Sequence, residues 1–268
     1  MFFDNAIESA LKRDRFIVLG ALAVVLGLSW AYLLSGVGMD MSAFEMTRMV
    51  VDNGGMAMIT PAVWDFGYVV LMFFMWWVMM TAMMLPSATP MVLLFATTNR
   101  KQKETGSPFV PTSLFASAYL IAWAGFSLAA VALQWSLESL SLLSPMLASA
   151  NVVFGGLVLL AAGIYQLTPL KQACLRHCRS PLHFILTRWR SGANGAFWMG
   201  LEHGANCVGC CWFLMGLLFF AGVMNLYWIV GIAVFGLLEK QVSGGRWLGY
   251  VTSVALITWG GVVLVGVA

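Results

Sequence analysis

The sequence predicts an all-α protein: a polytopic transmembrane helical bundle of about seven spans, with its N-terminus on the cytoplasmic side. Three observations predict it. Of 268 residues 61% are hydrophobic and only 9% charged, whereas a soluble domain carries about a quarter of its residues as charges. The apolar stretches are long and continuous, not the short alternating segments of a membrane β-barrel. And the basic residues collect on alternate sides of those stretches, as the positive-inside rule requires.

The first run, residues 16–37, follows Lys12, Arg13 and Arg15. It is longer than a signal-peptide core and shows no clear small-x-small cleavage site, so it is read as a retained first span. Further spans are expected near 64–85 (with an apolar extension to 97), 111–133, 151–170, 195–221, 223–238 and 248–267. With the N-terminus inside, 13 of the 14 Lys and Arg residues fall on the cytoplasmic side and only Arg48 lies outside. The sixth span is short and follows the fifth after a turn near Gly222–Asn225, so the two could instead form a re-entrant hairpin. Two parts are expected: residues 1–63, a first span with an extracytoplasmic loop, and residues 64–268, the main bundle.

Between Met39 and Pro61 the outside loop holds six methionines and three acids. Thioether sulfur is a ligand for soft cations, which reads as a metal-collecting surface. The same pattern also suits an amphipathic helix on the membrane surface with Met as flexible apolar filler. The second span carries Met72, Met75, Met79, Met80, Met83 and Met84 before Pro86 and Pro90. Spacings of 3 and 4 put Met72, Met75, Met79 and Met83 on one helical face, either as packing or as a relay for Cu(I). The two prolines are expected to break or kink the helix. Spans three and four read as scaffold, with Gly155-Gly156 and Ala161-Ala162-Gly163 providing small residues for close helix contact.

The chemistry concentrates in the fifth span, where Gly200-Leu-Glu-His-Gly-Ala-Asn-Cys-Val-Gly-Cys-Cys-Trp212 lies inside an apolar run. Ionisable groups at membrane depth are expensive and mark functional sites. At about 100° per residue, Met199, His203, Cys207 and Cys210 share an arc of roughly 80°, with Cys211 at its edge and Glu202 on the other flank. Thiolate, imidazole and thioether groups select Cu(I) or Zn(II). The candidate metal residues are therefore His203, Cys207, Cys210, Cys211 and Glu202, with Met79, Met80, Met83 and Met84. Glu202 is expected to accept hydrogen bonds around the metal or carry protons as thiols deprotonate. Cys174, His177 and Cys178 could form a second soft-metal site in the basic segment after span four, although its Arg and Trp residues also suit an interfacial segment. Glu239, at the end of span six, is expected to pair with its neighbour Lys240 or to snorkel, with reach to the Cys/His site as the less favoured alternative.

Met79-Met-Thr-Ala-Met-Met-Leu-Pro86 with Pro90, Cys207-x-Gly-Cys-Cys-Trp-x-Leu-Met215, Gly222-Val-Met-Asn-Leu-Tyr-Trp228 and Glu239-Lys240 together resemble a family of bacterial integral membrane proteins known as DUF2182. The resemblance covers roughly residues 64–250. It implies a predicted metal-binding, multi-pass protein of the bacterial inner membrane, and it implies no mechanism.

The leading expectation is a membrane protein handling Cu(I) by transport or by delivery to a membrane enzyme complex, with copper as the ion and zinc also compatible with the ligands. Its partners would be the bilayer, the metal and a metal-donor or acceptor protein. A thiol–disulfide redox protein using Cys207 and Cys210, or a structural subunit of a membrane complex, are the alternatives. No phosphate-binding Gly loop and no serine elbow is present, so nothing points to an enzyme with its own turnover, and that question stays open. A net charge of +3 gives nucleic-acid binding no support.

Overall fold

A computed structural model describes residues 2–37, 41–52, 63–104, 110–144, 147–242 and 245–266. Its elements are α1 (Phe2–Leu34), α2 (Ala43–Asp52), α3 (Phe66–Glu104), α4 (Thr112–Ser139), α5 (Val152–Leu167), α6 (Pro169–Arg179), α7 (Pro181–Arg188), α8 (Gly192–Gly216), α9 (Leu218–Ala221), α10 (Leu226–Gln241) and α11 (Gly245–Val265). No strand occurs among the described residues beyond one isolated bridge between Leu143 and Ser149. The expected all-α bundle is what the chain forms.

Among the described residues, five segments are long and apolar enough to cross a membrane: 15–34, 66–102, 112–139, 192–221 and 247–265. A sixth crossing arises if α5 and α6, bent by 64° at Thr168, are taken together. The bend has a local cause: Thr168 accepts from Lys171 N, and Pro169 starts the new helix where a missing N–H does no harm. The sixth expected span is α10, whose 16 residues fall short of the ~20 a bilayer crossing needs. It starts directly after the turn at Gly222, whose φ of +96° is easy for glycine, and Asn225 caps it by accepting from Tyr227 N at 3.1 Å.

The expected break at Pro86 and Pro90 does not occur. Both prolines lie within α3, which runs unbroken for 39 residues, about 58 Å at 1.5 Å per residue. Hydroxyls bridge neighbouring carbonyls along this stretch, Ser87 Oγ donating to Met84 O and Thr89 Oγ1 to Leu85 O. Helix α4 secures the first half of α3 and the residues just before it: Trp76 Nε1 donates to Gln134 Oε1 at 2.8 Å, Trp64 Nε1 to Glu138 Oε2 at 2.8 Å, and Gln134 Nε2 to Met72 Sδ at 3.4 Å. The small residues of α5 do serve close packing. A Cβ on Gly163 would stand 2.7 Å from Ile257, and one on Gly156 2.7 Å from Leu264, both in α11.

Of the two readings of the outside loop, residues 43–52 form a short helix. Its Met46 is buried, and Thr47 Oγ1 receives Leu226 N at 3.0 Å, which pins α2 to the start of α10. Met39, Asp40, Met56 and Met58 lie outside the described residues.

Candidate metal centre

Helix α8 is the spine of the site, and it approaches α4 closely because its contact face carries glycines. A Cβ on Gly200 would come within 2.3 Å of Phe115 O, and one on Gly204 within 2.5 Å of Ala122 Cβ. That close approach places Tyr119 of α4 beside α8. Tyr119 Oη donates to Met84 O at 3.2 Å and lies 3.3 Å from Cys207 Sγ. From α3, Met84 Sδ stands 3.9 Å from Cys211 Sγ. From α10, Lys240 Nζ stands 3.0 Å from Cys207 Sγ, 3.6 Å from Met84 Sδ and 3.3 Å from Ser87 Oγ. From α6, Cys178 is buried in the same core as Cys207, Cys210 and Cys211. Four helices therefore converge on one thiol cluster of α8.

The predicted arc is buried: Met199, His203, Cys207, Cys210 and Cys211 are each at most 2% exposed. They do not form one group, however. Cys207, Cys210 and Cys211 stand with Met84 and Cys178. Met199 lies a few turns earlier, where its Sδ accepts from Arg190 N at 3.3 Å. His203 sits between them, packed against Phe115, Tyr119 and Phe184 with ring centroids 5.8–6.2 Å away. Its Nδ1 is buried without a hydrogen-bond partner. Glu202, on the opposite flank, pairs with Arg188 at 3.2 Å and Arg190 at 3.7 Å. Among the methionines, Met79, Met80 and Met83 are buried in the same core, and Met84 is the one whose sulfur reaches a thiol.

None of the five cysteines is joined in a disulfide. The Cys210 and Cys211 thiols both donate to Cys207 O, at 3.0 and 2.9 Å, the back-bonding that short polar side chains make inside helices. Among the described residues, no group of three or more His, Cys, Asp or Glu side chains is already arranged to hold a metal ion. The sulfurs are gathered, but their protons are turned onto the helix backbone. Rotation about the Cys210 and Cys211 side-chain bonds is what would bring them onto a shared ion.

Sequence reasoning missed two participants. Helix α6 was read as an interfacial segment or as its own soft-metal site. Instead Lys171, Leu175 and Cys178 are buried along its inner face, Cys174 Sγ lies over Gly209 where a Cβ would stand 2.8 Å away, and Tyr165 donates to Gly209 O. His177 Nδ1 is engaged with Ala173 O at 3.0 Å. The spacing Lys171, Leu175, Cys178 at i, i+4 and i+7 is a helical stripe that could have signalled this inward face. The second missed participant is Lys240. Glu239 does not pair with it, but with Lys171 across the fold at 2.6 Å, both side chains at most 1% exposed. The local group thus holds two buried ammonium groups and one buried carboxylate, and the surplus positive charge of Lys240 rests against sulfur. Buried charge without a counter-charge is costly, so an anionic thiolate or metal–thiolate group suits this position.

A family described as PpoB2, copper chaperone, matches residues 73–263. The chain belongs to that family. The matched region takes in Met84, Tyr119, Cys178, the α8 cysteines and Lys240, and it supports a copper-handling role. No curated protein and no solved structure matches the chain.

Proposed function

We propose that this copper chaperone is a multi-pass protein of the bacterial inner membrane, N-terminus inside, that holds Cu(I) on the sulfur cluster of Cys207, Cys210, Cys211, Cys178 and Met84 and passes it on to an acceptor. One observation carries the reading. Thiols of α8, a thiol of α6 and a thioether of α3 share one buried core beside an ammonium group, and soft sulfur donors select Cu(I) over harder ions. Lys240 compensates anionic sulfur when the ion is away. Cu(I) brings the same single positive charge, so it can replace the ammonium without leaving the pocket with uncompensated charge.

His203 is proposed as a neighbouring donor one ring away, behind Tyr119, where its unpartnered Nδ1 leaves a ring nitrogen available. Met79, Met80 and Met83 are proposed as a thioether lining along α3 on the way to Met84. Glu202, held by Arg188 and Arg190, is proposed to tie α8 to the end of α7 and the connection that follows it, and not to ligate metal. Zinc is the less suitable ion, because a thioether is a poor ligand for it.

The test is elemental analysis of protein purified in mild detergent after Cu(I) loading under reducing conditions, with thiols counted in the same sample. About one copper per chain is expected, falling to background in Cys207→Ser/Cys211→Ser with unchanged yield of folded protein. Full copper occupancy in that double variant would overturn the assignment. A missing pair of thiols without copper would favour disulfide exchange.

A further inference from the structure

Lys240 belongs to two places at once. Its Nζ touches Cys207 Sγ at 3.0 Å, and the residue also forms part of the wall of a surface recess between α6 and α10 of about 560 Å³. Gln172, Arg176, Arg179, Ser180 and Gln241 complete the polar part of the wall, which among the described residues carries three cations and no carboxylate. The nearby Glu239 is turned inward onto Lys171. Arg179 donates to Val242 O at 2.6 Å and Arg176 Nε to Gln172 O at 3.3 Å, which hold both guanidinium groups at the rim. The volume is that of a site for a small molecule, too small for a folded partner to enter.

We propose that this recess is the docking site of a small anionic Cu(I)–thiolate complex, through which the metal exchanges with Cys207. The inference rests on the copper reading of the thiol cluster and adds the carrier class and the route. Bare Cu(I) would be repelled by a recess with this charge, whereas a carrier bearing carboxylates is attracted to it. Docking brings the carrier sulfur to the residue that touches Cys207. The exchange is redox-neutral: the Cu–S bond to the carrier breaks as a Cu–Sγ bond to Cys207 forms, copper stays Cu(I), and any proton of the Cys207 thiol leaves on the departing carrier sulfur. The recess lies at the end of the bundle where Lys171, Arg176, Arg179 and Lys240 collect, the end that the positive-inside rule puts in the cytoplasm. Exchange on that side therefore requires no acceptor in the extracytoplasmic space.

The experiment follows copper loading of the full chain in detergent from Cu(I)–glutathione, whose ligand is anionic, and from Cu(I)–cysteamine, whose ligand is cationic, at matched free Cu(I). The wild type is expected to load faster from the anionic complex. Arg176→Glu, at an exposed rim position, is expected to slow that reaction on the order of tenfold and to leave loading from the cationic complex as fast or faster. Arg176→Gln should fall between, and about 0.5 M salt should remove the difference. Equal rates from both complexes in the wild type, or equal slowing of both in Arg176→Glu, would overturn the recess while leaving the thiol cluster as the copper site. Failure to load from either complex would overturn the copper reading of the cluster, and this proposal with it.

Discussion

Lys240 Nζ lies 3.0 Å from Cys207 Sγ, two residues 33 positions apart in the chain and both buried. No pattern in either segment announces the pair, yet it sets the electrostatics of the site. An ammonium and a Cu(I) ion are both monocations competing for one sulfur. Copper loading is therefore expected to move Lys240 away from Cys207 and into the adjoining recess. Mass-spectrometric mapping after treatment with a small amine-acylating reagent checks this. Lys240 should be labelled weakly in the copper-free protein and several-fold more after loading, while Lys171, held by Glu239, stays unlabelled in both. Equal labelling of Lys240 in both states would show that the ammonium does not make way for the ion.

Met84 and Met79 differ in their surroundings, not in their burial. Both are fully buried, but only Met84 places sulfur beside Cys211 and Lys240. Leu nearly conserves the volume of Met, so either replacement should cost less than about 1.5 kcal/mol of stability. Met84→Leu is expected to speed copper release to a chelator on the order of tenfold, a loss of about 1.4 kcal/mol of binding. Met79→Leu should leave the release rate unchanged. Matching effects from the two would make the whole methionine face a relay.

The fold class was legible because hydropathy and basic-residue placement are global signals that survive local error. The buried arc of α8 was legible for a similar reason: a helix advances at a known angle, and Met199, His203, Cys207 and Cys210 had to share a side. What sequence could not supply was the other wall. Cys178 and Lys240 reach the cluster because α5 and α6 bend at Thr168 and because α10 runs alongside α3 and α6, and those are relations between segments far apart in the chain. Charge counting pointed the wrong way for Glu239, whose sequence neighbour Lys240 is taken by sulfur. At Pro86 and Pro90 the helix runs on without the break that the sequence suggested, because a proline removes one hydrogen bond of the ladder and a helix held by its neighbours over the rest of its length can carry that loss.

The Lys171–Glu239 pair joins α6 to α10, and through them sets the distance between Cys178 and Lys240. Breaking a buried pair by removing one partner leaves a bare charge and costs roughly 3–5 kcal/mol, whereas replacing both partners with apolar residues of similar size is often neutral. Lys171→Met is expected to lower unfolding stability in detergent by about that amount, and Lys171→Met/Glu239→Leu to recover most of it. If the double variant stays as unstable as the single one, the pair contributes directional hydrogen bonding that packing cannot replace. If it is stable but loads no copper, the pair positions α6 for the site.

At the opposite end of α10, α2 is held by Thr47 and started by a capping box that the reading of the Met-rich loop overlooked. Ser42 N and Ser42 Oγ both donate to Glu45 Oε2 at 2.8 Å, and Glu45 N returns a bond to Ser42 Oγ at 3.3 Å. The backbone and hydroxyl bonds from Ser42 hold the Glu45 carboxyl below the usual glutamate range. Its charged form is thus favoured in the folded protein. The stabilisation is complete above the unfolded pKa and is lost as pH falls through the lowered folded pKa. Protection of the α2 amides from hydrogen exchange, taken relative to the intrinsic rate at each pH, should hold at neutral pH and fall only in acid below the ordinary carboxylate range. In Ser42→Ala the Glu45 carboxyl, followed by carbon NMR, should titrate nearer its ordinary value, with faster α2 exchange already at neutral pH. Glu45→Gln should show the faster exchange with no acid step. An unchanged Glu45 midpoint in Ser42→Ala would mean that the backbone N–H of residue 42, which the substitution keeps, and not the hydroxyl, holds the carboxylate.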